Sequence, residues 1–306
     1  MSDAVNVRGV IKRFGAVTAL AGVDLAIATG STFGLVGPNG AGKTTLFSIV
    51  VGFLRPSAGS VSVLGFPVDD RAHLRGQVSV LPQDAAFRKG VPVGQQLAQL
   101  ARLQGLEPAG IPGEVQRVLE LTDMQDARHQ PPDTLSHGMR KRIAISQAFL
   151  GDPKLVILDE PIAGLDPAQA RRIRLLIQAE AGKRTFVISS HVMADIETLC
   201  SHVAIIKGGT IVAQPSVAEL TRREGVVVFT LEAAPGDDLV RAVSELPFVS
   251  RVEPKPIEKK LQIAVRPEKN LDQACAELLQ VLASRQVAFV GMNKGTTLED
   301  AILKMT

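Results

Sequence analysis

The chain of 306 residues contains neither tryptophan nor tyrosine, so any stacking of a flat ligand falls to its eleven phenylalanines. It has only two cysteines, Cys200 and Cys275, far apart and outside any metal-ligand spacing. That excludes a disulfide framework and a cysteine metal site, and predicts two ordinary core thiols in a reducing compartment. No uncharged apolar run reaches the roughly 18 residues a membrane-spanning helix needs. No basic segment followed by an apolar core opens the chain. Both absences predict a chain that is neither exported nor membrane-spanning by itself. Strong charge is lacking too: 34 basic against 31 acidic residues leave a formal +3, too little to argue for nucleic acid or anionic lipid. What is plentiful is apolar residue, at 45%, enough for one large core and one small one.

The rest is organised around residues 37–44, Gly-Pro-Asn-Gly-Ala-Gly-Lys-Thr, which satisfy G-x-x-x-x-G-K-[ST]. An apolar run precedes them, and Leu46, Phe47, Ile49 and Val50 follow at helical spacing. Strand, glycine loop and helix together make a phosphate cradle. Glycines let successive backbone N–H groups turn inward onto an anion, and the helix N-terminus adds its positive end. Lys43 would reach the β- and γ-phosphates, and Thr44 would offer its hydroxyl to Mg²⁺.

Strands are expected over 5–12, 23–27, 59–65 and 78–81, the last ending at Pro82-Gln83-Asp84. Residues 91–130 read as a helical insert, with Leu97, Leu100, Leu103 and Leu106 at every third position. Ser136 is placed as N-cap of a further helix that stops at Gly151-Asp152-Pro153. Residues 155–158 form a continuous apolar strand running into Asp159-Glu160, and 185–188 repeat the pattern into Ser189-Ser190-His191. Strands alternating with helices predict an α/β domain with a mainly parallel sheet, whose ligands bind beyond the strands' carboxyl ends. There Asp159 would hold Mg²⁺, Glu160 would act as general base, and His191 would assist. The run Arg140-Lys141-Arg142 has no interleaved aromatics, so it reads as a solvated helix face and argues no nucleic-acid partner. Phe14 is either plain surface or a ring for adenine.

These residues resemble the ATP-binding cassette family, the nucleotide-binding subunits of ABC transporters, over about the first 220 residues. Residues 37–45, including Asn39, Gly40, Ala41, Gly42 and Thr45, are similar to its Walker A loop and 155–160 to its Walker B strand. Phe14 resembles the adenine-stacking aromatic, Gln83 the Q-loop glutamine, 135–139 the signature, 164–166 the D-loop with Asp166, and His191 the switch histidine. The resemblance implies a phosphate-loop cassette over 1–222 with an antiparallel N-terminal subdomain and a helical subdomain near 89–150. It also implies ATP and Mg²⁺, the latter on Thr44, Asp159 and Gln83, and hydrolysis by Glu160 with His191 and Gln83. The partners implied are a second cassette, whose signature Ser136 and Gly138 complete each site head to tail, and a separate membrane permease reached through Gln83 and the helical insert. The chain would then sit on the cytoplasmic face of the membrane.

Two positions depart from the family. The signature reads Leu135-Ser136-His137-Gly138-Met139 where the family has Leu-Ser-Gly-Gly-Gln, and Ile162 stands where Thr or Ser is usual. Ser136 and Gly138 keep their contacts, but Met139 cannot reproduce the glutamine's, so reduced but real turnover is expected. A non-transport cassette ATPase and a weakly hydrolysing regulator are the alternatives. Residues 223–306 predict βαββαβ, with strands at 226–231, 248–252, 261–265 and 287–290 and helices at 237–246 and 271–284. That order suggests a small ferredoxin-like or similar α+β module, and with the segment 297–304 that follows it resembles the accessory domains of exporter-type cassettes.

Overall fold

The computed structural model describes residues 3–221 and 225–295 together with Leu298 and Ile302, so the expected segment 297–304 lies largely outside the described residues. It forms two compact units, Met1–Ser216 and Val217–Thr306. Composition changes at the polar residues after Thr221, whereas burial resumes earlier, at Val217 and Leu220. The division accordingly precedes residue 222.

In the first unit, β1 (Asp3–Phe14) and β2 (Val17–Ala28) form a long antiparallel hairpin. β3 (Thr32–Val36) leads into α1 (Lys43–Val50). β4 (Ala58–Val63), β5 (Phe66–Pro67), α2 (Arg71–Leu74) and β6 (Val78–Leu81) follow. The helical insert is α3 (Val93–Gln104) and α4 (Ile111–Leu121), and α5 (His137–Ala148) returns to the sheet. Then come β7 (Leu155–Asp159), α6 (Pro167–Glu180), β8 (Thr185–Ser189), α7 (Met193–Leu199), β9 (His202–Lys207) and β10 (Thr210–Ala213). One sheet has four strands in the antiparallel order β2-β1-β4-β5. The other has six in the order β10-β9-β3-β8-β7-β6, parallel throughout except for the β10–β9 pair.

Every residue of β3, β7 and β8 is buried, as strands covered on both faces must be. The two sheets share one core with α1. Leu46, Phe47 and Ile49 pack among Val5, Leu25 and Ile27 of one sheet and Leu155, Ile157 and Ile206 of the other. The helix that follows the glycine loop is thereby clamped from both sides. Among the described residues no helix is long and apolar enough to cross a membrane.

The leucines of the insert do not form one buried stripe. A step of three residues falls short of the 3.6-residue turn, so the row rotates off the face. Leu97 is fully buried and Leu103 is 65% exposed. The insert is tied to the end of α5 through Glu114, which accepts from both arms of Arg117 (2.7 and 2.8 Å) and from the Gly151 N–H (2.7 Å). Arg117 also donates to the Phe149 carbonyl at 2.7 Å. Burial pushes the Glu114 carboxyl up, but the Arg117 guanidinium and the Gly151 N–H outweigh it and hold it below its ordinary 4.5. A depressed carboxyl stabilises the fold above its unfolded pKa and loses that contribution as pH falls through the folded value. Glu114→Gln should therefore lower stability by about 1 kcal/mol at neutral pH. In thermal melts the gap from the parent should close as pH falls below the ordinary carboxyl value of 4.5, and a gap constant with pH would refute the assignment.

The second unit begins with α8 (Val217–Thr221) and continues through β11 (Val226–Leu231), α9 (Asp237–Ser244), β12 (Val249–Lys255), β13 (Lys260–Val265), α10 (Leu271–Ser284) and β14 (Phe289–Lys294). The strand order β12-β13-β11-β14, antiparallel throughout, is that of a ferredoxin-like βαββαβ unit. Its core joins Phe229, Leu261 and Ile263 of the sheet to Leu239, Val243, Leu278 and Leu282 of the helices. The last strand begins at Phe289 rather than 287, because Val287 still closes the α10 turn by donating to the Leu282 carbonyl at 2.9 Å. Both cysteines are free and buried, and burial pushes the Cys200 thiol up to about 12, which makes it inert.

Candidate functional site

A cleft of about 490 Å³ opens at the carboxyl ends of β3 and β7, lined among others by Asn39, Gly42, Lys43, Thr44, Asp159 and Glu160. Gly40, Thr45, Gln83 and His191 line it as well, so the three strand ends read from the sequence converge with the glycine loop. The loop's glycines have distinct reasons. A Cβ on Gly37 would collide with the Ile206 carbonyl of β9, and one on Gly42 would stand 2.8 Å from the Ala19 carbonyl and 2.7 Å from Leu20 Cδ2. Gly42 also caps α1 at φ 109°, a conformation open to glycine. Gly40, at φ 80°, has open space around it and needs glycine for its backbone alone. Gly37 and Ala41 lie outside the lining.

Lys43 Nζ donates to the Gly37 and Pro38 carbonyls at 2.7 and 3.0 Å, which holds the ammonium over the loop. Thr44 Oγ1 lies 3.4 Å from Asp159 Oδ2. Glu160 has φ 52°, and its N–H donates to the Ser189 carbonyl and to Ser189 Oγ, both at 3.2 Å. The Ser189 hydroxyl in turn donates to Asp159 Oδ1. β7 and β8 are registered with Asp159 opposite Ser189, so one buried serine holds the Asp159 carboxylate and the Glu160 main chain. Glu160 Oε2 meets His191 Nδ1 at 2.7 Å, with the Glu160 side chain 11% exposed and that of His191 67%. A mostly buried carboxylate is thus oriented by an imidazole open to the cleft.

Ser189 and the carbonyl of Ala19 were not singled out from the sequence. A hydroxyl directly ending an apolar strand was the only signal for the first, and the second acts through main chain alone.

Phe14 lies outside the lining, at the tip of the β1–β2 hairpin, 48% exposed with Lys12 Nζ 5.0 Å from its ring centre. Ser136, Gly138 and Asp166 also lie outside it. Ser136 is the N-cap of α5, its Oγ accepting from the Met139 N–H at 3.2 Å, and Asp166 caps α6 through the Gln169 N–H at 2.9 Å. The basic run is a solvated face only in part. Arg142 is only 12% exposed and donates to the Asp123 carbonyl at 3.0 Å. Lys141 is half-buried, its ammonium pushed down by burial and pulled back by Glu160, Asp159 and Asp84. Arg142 and Lys141 thus serve the fold and the acidic site, while Arg140 is exposed as a solvated face requires.

The glycine loop, its clamped helix and the acid pair at the neighbouring strand end define a phosphate-loop nucleotide-binding protein of the α/β class. The family model described as ABC transporter matches residues 20–163. The chain is 36% identical to a Nod factor export ATP-binding protein I of Cupriavidus metallidurans, over 73% of this chain and 75% of the relative. It is also 36% identical to an uncharacterized ABC transporter ATP-binding protein of a Nostoc species, of which it spans 62%. Among solved structures, cbiO1 from Clostridium perfringens, part of the ABC transporter complex cbiONQ, superposes with a TM-score of 0.64 at 27% identity, covering 81% of this chain and 97% of that one. The chain belongs to the ATP-binding proteins of ABC transporters, a family of ATPases, and carries the cassette fold.

Proposed function

We propose that this protein hydrolyses ATP between two head-to-tail copies of itself to drive a separate membrane permease, in the direction of export. The observation that carries the hydrolytic reading is the Glu160–His191 pair facing the phosphate loop across one cleft. The loop N–H groups and Lys43 bind the β- and γ-phosphates, and the exposed ring of Phe14 is offered to the adenine. A hydroxyl, a carboxylate and an amide, from Thr44, Asp159 and Gln83, are hard oxygen donors that suit Mg²⁺, which takes few protein ligands beside substrate phosphates. Bound there, the ion neutralises charge developing on the phosphoryl oxygens. Glu160 accepts a proton from water as its oxygen bonds to the γ-phosphorus and the bond to the β–γ bridging oxygen breaks, giving ADP and phosphate. His191 keeps the Glu160 carboxylate turned to that water. Ser136 and Gly138 stand away from their own cleft, which supports a role at the cleft of a second copy.

Support for the permease comes from a groove of about 900 Å³ bordered by Phe53, Val78, Val80, Leu100 and Leu103, with Arg75 on its rim. Phe53 is 68% exposed, and an apolar groove of this kind suits an amphipathic helix. β6 supplies Val78 and Val80 to the groove and ends two residues before Gln83 in the nucleotide cleft. That strand gives docking a direct route to the ATP site. Similarity to an export ATP-binding protein supports the direction. Capture of the tagged protein from membranes of its own cells should recover a permease in a complex that releases phosphate from ATP, and Phe53→Asp should abolish co-purification without shifting the melting temperature. A wild-type protein that recovers no membrane partner would overturn the transport reading.

A further inference from the structure

The first turns of α5 and α6 touch at one point. A Cβ on Gly138 would overlap Gln169 Oε1 and stand 2.6 Å from Nε2, so the Gln169 amide lies against the signature turn with its oxygen nearest. Its Oε1 is buried and has no hydrogen-bond partner among the described residues, whereas its Nε2 is not among the buried unpaired atoms. Both ends of the amide therefore border the signature turn, the donor Nε2 among them. The residue is anchored at its root, since its backbone N–H is held by Asp166 Oδ1 at 2.9 Å. On the same turn Ser136 supplies a hydroxyl, and the N–H groups of His137 and Gly138 have no intrahelical acceptor. His137 leaves that turn open, because its ring leans toward Gly164, where a Cβ would meet its Nε2 at 3.3 Å.

We propose that Gln169 supplies the amide that the signature lacks at Met139. Its Nε2 donates to the ATP held on the phosphate loop of a second copy, beside Ser136 and Gly138. This rests on the head-to-tail dimer proposed above. It makes the D-loop helix, rather than the signature alone, a source of the contact, and it gives position 138 a reason to be glycine that position 137 does not share. The role is binding across the interface, distinct from packing within one copy.

The test uses the full chain carrying Glu160→Gln, which holds ATP without turning it over, with dimer formation followed by sedimentation as Mg-ATP is raised. Adding Gln169→Glu, which keeps the shape and replaces the donor with a carboxylate, or Gln169→Ala should raise the ATP needed for half-dimerisation about tenfold or more. Binding of a fluorescent ATP analogue to the monomer should stay within about twofold, because that site uses the chain's own loop. Met139→Gln added to Gln169→Ala should restore dimerisation to within about threefold of the parent. Dimerisation of both Gln169 variants at the parent's ATP concentration would overturn the proposal, as would failure of Met139→Gln to rescue. A measurement that leaves Gln169 intact guards against misfolded variants. Met139→Gln alone should gain less than about threefold, since the amide is already present, and a tenfold gain overturns the proposal. A Glu160→Gln parent that stays monomeric at saturating ATP brings down the dimer itself and Gln169 with it.

Discussion

Glu160→Gln is expected to lower steady-state phosphate release by at least about 10²-fold while leaving ATP affinity within a few-fold of the parent, the span of a lost general base. The geometry gives the reason. Gln keeps the volume and can still meet His191, but it cannot take the proton of the attacking water. The main-chain contacts of residue 160 with Ser189, both at 3.2 Å, survive the change. His191→Ala should act more mildly on the chemical step, because it removes an orienting group rather than the base. An equal loss in the two variants would mean that the imidazole itself reacts.

The second large effect is structural. Gly42→Ala puts a Cβ 2.8 Å from the Ala19 carbonyl and 2.7 Å from Leu20 at a backbone φ of 109°. Two costs combine there, left-handed strain of about 1–2 kcal/mol and the displacement of a packed β2 main chain at the start of α1. ATP binding should fall beyond detection and the melting temperature should drop by several degrees. Gly40→Ala shares the positive φ, at 80°, yet meets no atom within 4 Å. It should cost only about 1 kcal/mol and leave measurable binding. If the two variants bind ATP equally, collision with β2 is not what fixes this loop.

Much of the nucleotide site is legible in the chain because its parts are local. A strand, a glycine loop and a helix adjacent in sequence are adjacent in space, and an apolar strand ending in Asp159-Glu160 delivers both carboxylates to the same sheet edge as His191. Spacing is a weaker guide where helical phase matters, which is why Leu103 is exposed and Arg142 mostly covered. The second unit's element order was readable for the same local reason, although its last strand began two residues late because Val287 is spent on closing a helix. Similarity to known cassettes adds the family, and the pairing of its subunits remains a proposal for this chain.

By itself, then, the sequence determined which residues gather at the cleft beside the glycine loop and which of them carry charge, since covalent neighbours and periodicity decide those. Tertiary structure alone decided that Ser189 holds Asp159 and Glu160 together, through a register of two parallel strands 30 residues apart. It alone laid Gln169 across Gly138, opened the groove beside β6, and separated Phe14 from the phosphate cleft. These are contacts between elements that the chain brings together only by packing, and no local pattern of residues encodes the distance between two side chains that meet across a core.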